Sequence, residues 1–378
     1  MPVRVLFASA ELPGQGGLST ASLSVFRRLR AEGIDVHYLT VLEPGEIGHD
    51  DLSNDPSVDL GDPHVAVCRL IESSDAPQPA LRQLVAAIGP DIGVGFGFRA
   101  THSLKNAAPT LPTIFATGTC RQAQDFVTSK RARDVTALRD EFASGKLVPE
   151  IVHWREQEAV GQCDLILTHS ALTLEMFSRF FPERRGKTYP RVIEFGDWIC
   201  DDAAAWSHLA RPFSERDIDV LFVANSWARQ EKGYDLVREV AGLLDGLRIH
   251  VVGSVPTPLV SVTHTGFLSH AEALFDLFGR ARCVVCPSYI DAAPGILHEA
   301  SVMGANAIAS TNCGNAHLCH PRLLANPLDA VTLASCIRLA ITRKFDDGLN
   351  SLGSRTALNE FVSLLQAFSL PFLPLARP

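Results

Sequence analysis

The sequence lacks long apolar runs, a surplus of positive charge and a regular pattern of cysteines. No stretch approaches the roughly 20 apolar residues that a membrane-spanning helix needs, and the first residues lack the basic segment of a signal peptide. We therefore expect a cytoplasmic protein. The nine cysteines are an odd number at irregular spacings, which indicates reduced thiols. Cys283 and Cys286 lie in an apolar run, so they predict a buried strand, and no metal site is expected.

The net charge of the chain also argues against one class of partner, the nucleic acids. A formal net charge of -8 argues against nucleic-acid binding, because phosphate neutralisation requires a surplus of Lys and Arg. Two basic clusters remain, Lys130-Arg131-Arg133 and Arg184-Arg185-Lys187. We interpret them as solvated surface, with contact to an anionic membrane or to an acceptor as the alternative. Peripheral contact with the inner membrane face therefore stays open.

Apolar segments alternate with helical patterns along the 378 residues, a length sufficient for two domains. The first apolar segment, Val3–Ala8, is followed by a Gly/Pro-rich turn and a helical pattern. The alternation restarts after about residue 197, beginning at Val220–Val223. Strands that alternate with helices predict parallel, doubly wound sheets. The predicted fold class is therefore α/β, with two Rossmann-like domains that face each other across a cleft.

The predicted domain boundaries follow from this restart. We assign residues 1–197 to an N-terminal domain and residues 198–360 to a C-terminal domain. Residues 361–378 form a C-terminal segment that could pack back on the first domain. No low-complexity linker separates the domains, so they should pack face to face. Ligands of such sheets bind at the carboxyl ends of the strands.

The segment 287–304 carries the strongest chemical signal. It follows a predicted buried strand, and Pro294 fits the first turn of a helix. Amides at a helix start bind anions. Asp291 before the helix and Glu299 within it can accept hydrogen bonds from the hydroxyls of a sugar and a ribose. The predicted anion-binding residues are Ala293, Pro294, Gly295 and Ile296.

The loop after the strand at 220–223 supplies the second signal. Lys232 and Arg229 in this loop could neutralise a diphosphate across the cleft. Each charged hydrogen bond of this kind contributes roughly 1.5 to 3 kcal/mol. Two or three of them would hold a pyrophosphate without a metal ion or other cofactor.

These residues resemble the retaining glycosyltransferases of GT-B architecture, in the large family 4 of group 1, typified by sucrose synthases and bacterial mannosyl- and glucosyltransferases. The resemblance covers nearly the whole chain. It implies that residues 1–197 form the acceptor-side domain and that residues 198–360 form the nucleotide-sugar-binding domain. The family's Glu-x7-Glu signature is matched by Asp291 and Glu299, with Asp in place of the first Glu. The resemblance implies that Glu299 binds ribose hydroxyls, that Asp291 binds the transferred sugar, and that the amides of 293–296 bind phosphate.

The family's Arg-x4-Lys-Gly element, which grips the diphosphate, is matched only at its end. Lys232-Gly233 fits the element, but Trp227 stands where the arginine is expected, and Arg229 is the candidate replacement. If Arg229 does not replace it, the affinity for donor should be low, which favours the alternative of a degenerate member without catalysis.

Two further segments are implied by the resemblance. The turn 265–268 matches the family's loop at the nucleobase and would place Phe267 and Leu268 in the donor site. A strand exit with Phe267 in the core is the alternative. Gly16 and Gly17 match the glycine loop that approaches the donor phosphates and the acceptor, with a simple tight turn as the alternative.

The resulting hypothesis is a retaining, metal-independent transfer from a nucleotide-diphosphate sugar to an unidentified acceptor. That acceptor could be a sugar, a lipid-linked molecule or a small molecule. One alternative is a nucleotide-sugar-binding or scaffold protein that has lost catalysis. Another is a nicotinamide-dependent oxidoreductase, motivated by the glycines at 14–17, but the third glycine and the second-strand acid of that motif are missing.

Overall fold

Two parallel sheets with helices on their faces make up the protein. The computed structural model describes residues 3–12, 17–42, 62–70, 78–130, 153–194, 196–268, 270–349 and 356–369. The α-helices are Gly17–Ala31, Pro79–Ile88, Phe98–Ala107, Arg121–Lys130, Trp154–Gln162, Ala171–Phe180, Gly196–Ala204, Tyr234–Leu243, Ala271–Arg280, Gly295–Val302, Ala330–Ala340 and Thr356–Ser369. None of these helices is long and apolar enough to cross a membrane.

The first sheet forms the N-terminal lobe. Its strands run in the order β3-β2-β1-β4-β5-β6-β7. They are β1 (Arg4–Ser9), β2 (Asp35–Leu42), β3 (Val65–Arg69), β4 (Ile92–Phe96), β5 (Thr113–Thr117), β6 (Leu165–Thr168) and β7 (Thr188–Val192). All neighbouring pairs are parallel. Every residue of β4 and of β5 is buried, as expected for strands that helices cover on both faces.

The second sheet forms the C-terminal lobe and repeats this design in the order β10-β9-β8-β11-β12-β13. Its strands are β8 (Ile218–Ser226), β9 (Ile249–Ser254), β10 (Thr263–His264), β11 (Ala281–Cys286), β12 (Asn306–Ser310) and β13 (Leu324–Ala325). The strand order reverses between β8 and β11, and the crevice at such a switch point is where doubly wound sheets bind ligands. The predicted two-lobed α/β fold is confirmed.

The helix Gly196–Ala204, which we call the bridging helix, contacts both lobes. Trp198 is buried in the core of the N-terminal lobe. Arg28 of that lobe pairs with Asp201 at 3.0 Å. On the C-terminal side, a Cβ atom at Gly196 would lie 2.5 Å from the imidazole of His298, so only glycine allows this approach. The bridging helix therefore couples the two lobes directly at the predicted domain join.

The last described helix, Thr356–Ser369, lies on the first sheet. The ring of Phe361 is buried 6.1 Å from that of Phe7 on β1. The hydroxyl of Tyr189 on β7 donates to Glu360 at 3.0 Å. The chain thus returns to the N-terminal lobe from residue 356 onward, a few residues before the predicted boundary at 361.

The cysteines are buried, and the second basic cluster lies in a short helix. Cys283 and Cys286 lie in β11, and all nine cysteines are buried free thiols. The second basic cluster forms the 3-10 helix Pro182–Lys187, where Lys187 donates to the carbonyl of Cys163 at 3.2 Å. Residues 131–133 of the first cluster lie outside the described residues.

Candidate functional site

Lys232 and Asp291 meet at the switch point of the second sheet. The loop after β8 carries Lys232, the loop after β11 carries Asp291, and the Lys232 ammonium donates to Asp291 Oδ2 at 2.6 Å. Gly233 has a φ of 75°, and a Cβ atom there would lie 2.4 Å from the carbonyl oxygen of Pro287. A glycine is therefore required for the lysine loop to pack against the end of β11.

The surroundings of Lys232 keep it positively charged. Burial acts to lower its pKa, but the electrostatic interactions with Asp291 and Cys286 outweigh that effect, and the pKa is raised overall. The side chains of Lys232 and Asp291 are 23% and 13% exposed, so solvent can reach part of the pair. An ammonium has three donors, and one of them goes to Asp291, so Lys232 can bind an anion without releasing this acid.

Arg229 and Trp227 make contacts within the protein that differ from the diphosphate contact expected of an arginine at this point in the loop. Two guanidinium nitrogens of Arg229 donate to the same carboxylate oxygen of Glu231, at 2.7 and 2.6 Å. Trp227 is buried in the core, and its indole N–H donates to the carbonyl of Val252 at 2.9 Å. Trp227 therefore has a packing role, and Arg229 is held by Glu231 while its side chain stays 49% exposed.

The helix Gly295–Val302, here called the site helix, begins where the sequence predicts. Pro294 is its N-cap, and because proline has no N–H, three of the four predicted backbone donors exist. This corrects the assignment of Pro294 as an anion-binding amide. The donors that remain are the amides of Ala293, Gly295 and Ile296, and the first N–H groups of a helix have no partner within the helix.

The start of the site helix lies against the bridging helix. A Cβ atom at Gly295 would lie 3.2 Å from the terminal methyl of Ile199. Asn315 donates to the carbonyl of Pro294 at 3.2 Å and holds the turn from the other side. The start of the site helix is therefore held between the bridging helix and Asn315.

Glu299 occupies a different electrostatic environment from Asp291. Burial, assisted by the nearby carboxylate of Asp202, raises the pKa of Glu299 to about 7. Asp202 belongs to the bridging helix and accepts a hydrogen bond from Ser24 of the N-terminal lobe at 2.7 Å. Glu299 is therefore close to the boundary of the lobes, whereas Asp291 is paired within the C-terminal lobe.

The loop after β10 presents an aromatic ring to solvent. Phe267 is 50% exposed, so the alternative that placed it in the core is wrong. Gly266 has a φ of 52°, and its carbonyl accepts from the amide of Gly253 at 2.6 Å, which fixes the turn. Leu268 is partly buried against the core of the C-terminal lobe. Gly17 is the first residue of the helix Gly17–Ala31, and Gly16 lies outside the described residues.

The lobes touch across the cleft. A Cβ atom at Gly314 would lie 2.5 Å from the hydroxyl of Ser170 in the N-terminal lobe and 1.6 Å from the carbonyl of Ala292. The pocket beside this contact has a volume of about 10 Å3, roughly one water molecule. Its lining includes Thr119, Gln124, Thr173 and Ile290. Binding sites for ligands of drug size measure about 300 to 1,000 Å3, so this pocket is too small to hold a sugar.

Sequence reasoning missed the residues that close the cleft and those that lie beneath the ion pair. Ser170 caps the helix Ala171–Phe180 and has no motif that would single it out. Cys286 and Cys313 bring their sulfur atoms to 3.8 Å, and the hydrogen bond from Cys313 lowers the pKa of Cys286. The CxxC motif in β11 includes Cys286 but not Cys313, and it predicted only that its cysteines are buried.

The fold and one family model relate the chain to known proteins. Residues 217–343, which include Arg229, Lys232, Asp291 and Glu299, match the model described as Glycosyl transferases group 1. No curated protein sequence matches the chain significantly.

Several solved structures share the fold over nearly the whole chain. Sucrose-phosphate synthase from Thermosynechococcus elongatus has a TM-score of 0.62 at 18% identity, over 97% of this chain and 96% of that one. HepE from Anabaena, in complex with UDP and glucose, has a TM-score of 0.61 at 14% identity, over 97% and 100%. Starch synthase IV from Arabidopsis thaliana, bound to ADP and acarbose, has a TM-score of 0.57 at 13% identity, over 98% and 100%.

Proposed function

We propose that this chain, which has the GT-B fold and whose residues 217–343 belong to the glycosyl transferases group 1, transfers a sugar from a nucleoside-diphosphate sugar to a hydroxyl acceptor. The transfer retains the configuration at the anomeric carbon and requires no metal ion. The Lys232–Asp291 pair at the switch point, beside the start of the site helix, is the observation that carries this proposal.

The diphosphate of the donor binds between Lys232 and the start of the site helix. Lys232 is held in a charged state, and the free amides of Gly295 and Ile296 lie at the positive end of the helix dipole. When the bond to the sugar breaks, negative charge grows on the diphosphate. Preorganised positive groups stabilise such charge where it develops, which removes the need for a metal ion.

The other contacts with the nucleotide sugar follow from this placement of its diphosphate. Asp291 accepts hydrogen bonds from hydroxyls of the transferred sugar while it keeps Lys232 in position. Glu299, near the lobe boundary, accepts from the ribose, and the exposed ring of Phe267 stacks on the nucleobase. Leu268 beneath it supports the loop. Arg229 is half exposed and can contribute through the N–H donors that Glu231 does not take.

The acceptor enters from the N-terminal lobe. Thr119, Gln124 and Thr173 supply polar groups around the closed pocket. Because this pocket holds about one water, the lobes must separate before a donor and an acceptor can enter. HepE and starch synthase IV, which share the fold, were solved with a nucleoside diphosphate and a sugar or sugar analogue bound. Their ligands support the same class of donor here.

A nucleotide-sugar-binding protein without catalysis is the second candidate. The buried Trp227, where the family has an arginine, and the pairing of Arg229 with Glu231 favour it. The first removes the expected arginine from the loop, and the second partly neutralises the candidate replacement. Both candidates bind a nucleotide sugar, and only the first transfers the sugar to an acceptor.

The test begins with thermal shifts for a panel of UDP, GDP, ADP and TDP sugars, since a ligand that binds the folded state raises the melting temperature. The sugar that gives the largest shift is then incubated with candidate acceptors in the presence of EDTA. We expect release of nucleoside diphosphate, and a product with the donor's anomeric configuration by NMR. Binding without turnover for every acceptor would favour the second candidate, and no binding at all would overturn both.

A further inference from the structure

A cluster of metal-ligating side chains lies at the opposite end of the first sheet from the cleft. Asp35 and His37 are two residues apart at the start of β2, so their side chains share one face of the strand. His64 immediately precedes β3, whose first residue Val65 pairs with Tyr38 of β2. The pairing of the two parallel strands therefore brings His64 beside His37.

The three side chains are close enough to bind one ion. Each offers a ligand atom that lies within 4.8 Å of those of the other two. His37 Nε2 lies 3.3 Å from Asp35 Oδ1, and the imidazole centroids of His37 and His64 are 4.5 Å apart. Ligand atoms around a tetrahedral zinc ion are about 3.3 Å apart, given zinc–nitrogen bonds of about 2.0 to 2.1 Å. Small side-chain rotations would close the remaining difference.

A buried polar atom of the cluster has no partner among the described residues. His64 Nδ1 is inaccessible to solvent and makes no hydrogen bond there. Such an atom costs free energy unless a proton donor, a water or a metal ion satisfies it. This observation is independent of the spacing of the three residues and shows that His64 has a ring nitrogen that an ion or a water molecule could satisfy.

Arg4 pairs with Asp35 but leaves one carboxylate oxygen available. Its Nε donates to Asp35 Oδ2 at 2.7 Å, and its Nη1 donates to the carbonyl of Ile88 at 2.8 Å. The other oxygen, Oδ1, faces His37. Arg4 thus orients the carboxylate, as partners outside the first coordination shell commonly do in metal sites.

We propose that Asp35, His37 and His64 bind a divalent transition-metal ion, with Zn2+ as the representative probe. Two imidazoles and one carboxylate form a ligand set that suits zinc, copper or nickel better than calcium or magnesium. The side chains of His37 and Asp35 are 18% and 24% exposed, so a water molecule can complete the coordination.

The bound ion would fasten an edge strand to its sheet. β3 is the edge of the first sheet and pairs only with β2 among the described strands. An ion that links His64 to Asp35 and His37 joins the residue before β3 to the start of β2. The cleft lies at the other ends of the strands. Because β2 has eight residues and a strand rises about 3.3 Å per residue, the distance from the ion to the cleft is roughly 25 Å. The metal therefore acts on stability and not on sugar transfer.

The test uses purified full-length protein that has been stripped with EDTA and desalted. Zn2+ is titrated in competition with a chromophoric chelator, and the melting temperature is recorded with and without Zn2+. We expect one equivalent of bound Zn2+ and a rise in melting temperature that grows with free Zn2+. His37→Ala and His64→Ala should each weaken binding by at least roughly 10- to 100-fold, the loss commonly seen even for outer-shell partners.

His208→Ala is the matched control, because His208 is exposed and lies outside the cluster. It should bind Zn2+ like the unmodified protein. If His64→Ala does not fold, His64→Gln preserves most of the side-chain volume and serves instead. Equal Zn2+ binding by the unmodified protein and both cluster variants would mean adventitious binding and overturn the proposal, as would the absence of a stoichiometric site.

Discussion

The Lys232 ammonium lies 2.6 Å from a carboxylate oxygen of Asp291, although the two residues are 59 positions apart in the chain. They meet because β8 and β11 are neighbours in the second sheet and both strands end at the same edge. The pair keeps a positive charge at the switch point, next to the start of the site helix. The first two predictions test what that charge does.

Lys232→Ala should lower turnover by on the order of a hundredfold, because it removes a preorganised positive group from the leaving diphosphate. Steady-state kinetics with the identified nucleotide sugar measure this effect. Arg82→Ala, which removes an exposed cation from the helix Pro79–Ile88 of the N-terminal lobe, is the control and should leave turnover unchanged. Turnover near that of the unmodified enzyme would remove Lys232 from the reaction.

Asp291→Asn should also lower turnover, because it deprives Lys232 of its counter-charge and the transferred sugar of a charged acceptor. Because the two side chains are in contact, their effects should not add in the double variant Lys232→Ala/Asp291→Asn. A double-mutant cycle on kcat/KM measures the coupling. Strictly additive losses would show that the two residues act independently.

The affinity for donor should depend on pH through Glu299. Its pKa of about 7 means that the carboxyl becomes protonated as the pH falls below neutrality and then accepts ribose hydrogen bonds less well. The KM for donor should therefore rise as the pH is lowered from about 8 to about 6. Glu299→Gln should raise KM at high pH and abolish this dependence, and Glu272→Gln, an exposed acid, should do neither.

Glu299 should also affect stability. Its folded pKa of about 7 lies above the ordinary 4.5, so its protonated form stabilises the fold below about pH 4.5, and this contribution is lost as the pH rises through 7. Glu299→Gln should therefore melt at a higher temperature than the unmodified protein at pH 8 and at a similar temperature at pH 4.5. A lower melting temperature at pH 8 would contradict the assigned surroundings of Glu299.

Phe267→Ala should weaken nucleotide binding with little change in kcat. Stacking of an aromatic side chain on a base is worth about 1 to 3 kcal/mol where it has been measured for nucleic acids. Isothermal titration with the nucleoside diphosphate gives the dissociation constant. Val260→Ala, a change at a fully exposed residue, is the control. Unchanged affinity in Phe267→Ala would place the base elsewhere.

Trp227→Arg introduces the residue type that group 1 glycosyltransferases resembling this chain carry here, but it should not create a diphosphate contact. The side chain of Trp227 is 2% exposed and donates to Val252, so an arginine there would bury a charge and leave a cavity. We expect a loss of stability of at least the roughly 3 to 5 kcal/mol typical of Trp→Ala, seen as a lower denaturant midpoint. Higher activity without loss of stability would contradict this packing role.

The sequence by itself determined the elements and the class of fold. Apolar runs such as Cys283–Cys286, the turn residues after them and Pro294 at a helix start are local signals, and steric and hydrogen-bonding rules act on them locally. The segments that contain Lys232, Asp291 and Glu299 could therefore be recognised, along with their positions at strand ends.

Only the tertiary structure decided how these side chains are paired. The contact of Arg229 with Glu231, the effect of Asp202 on Glu299 and the closure of Gly314 on Ser170 have no sequence motif. The same is true of the meeting of His37 and His64. Each of these contacts depends on loop geometry, on strand order or on how the lobes pack, and periodicity along the chain carries no information about those distances.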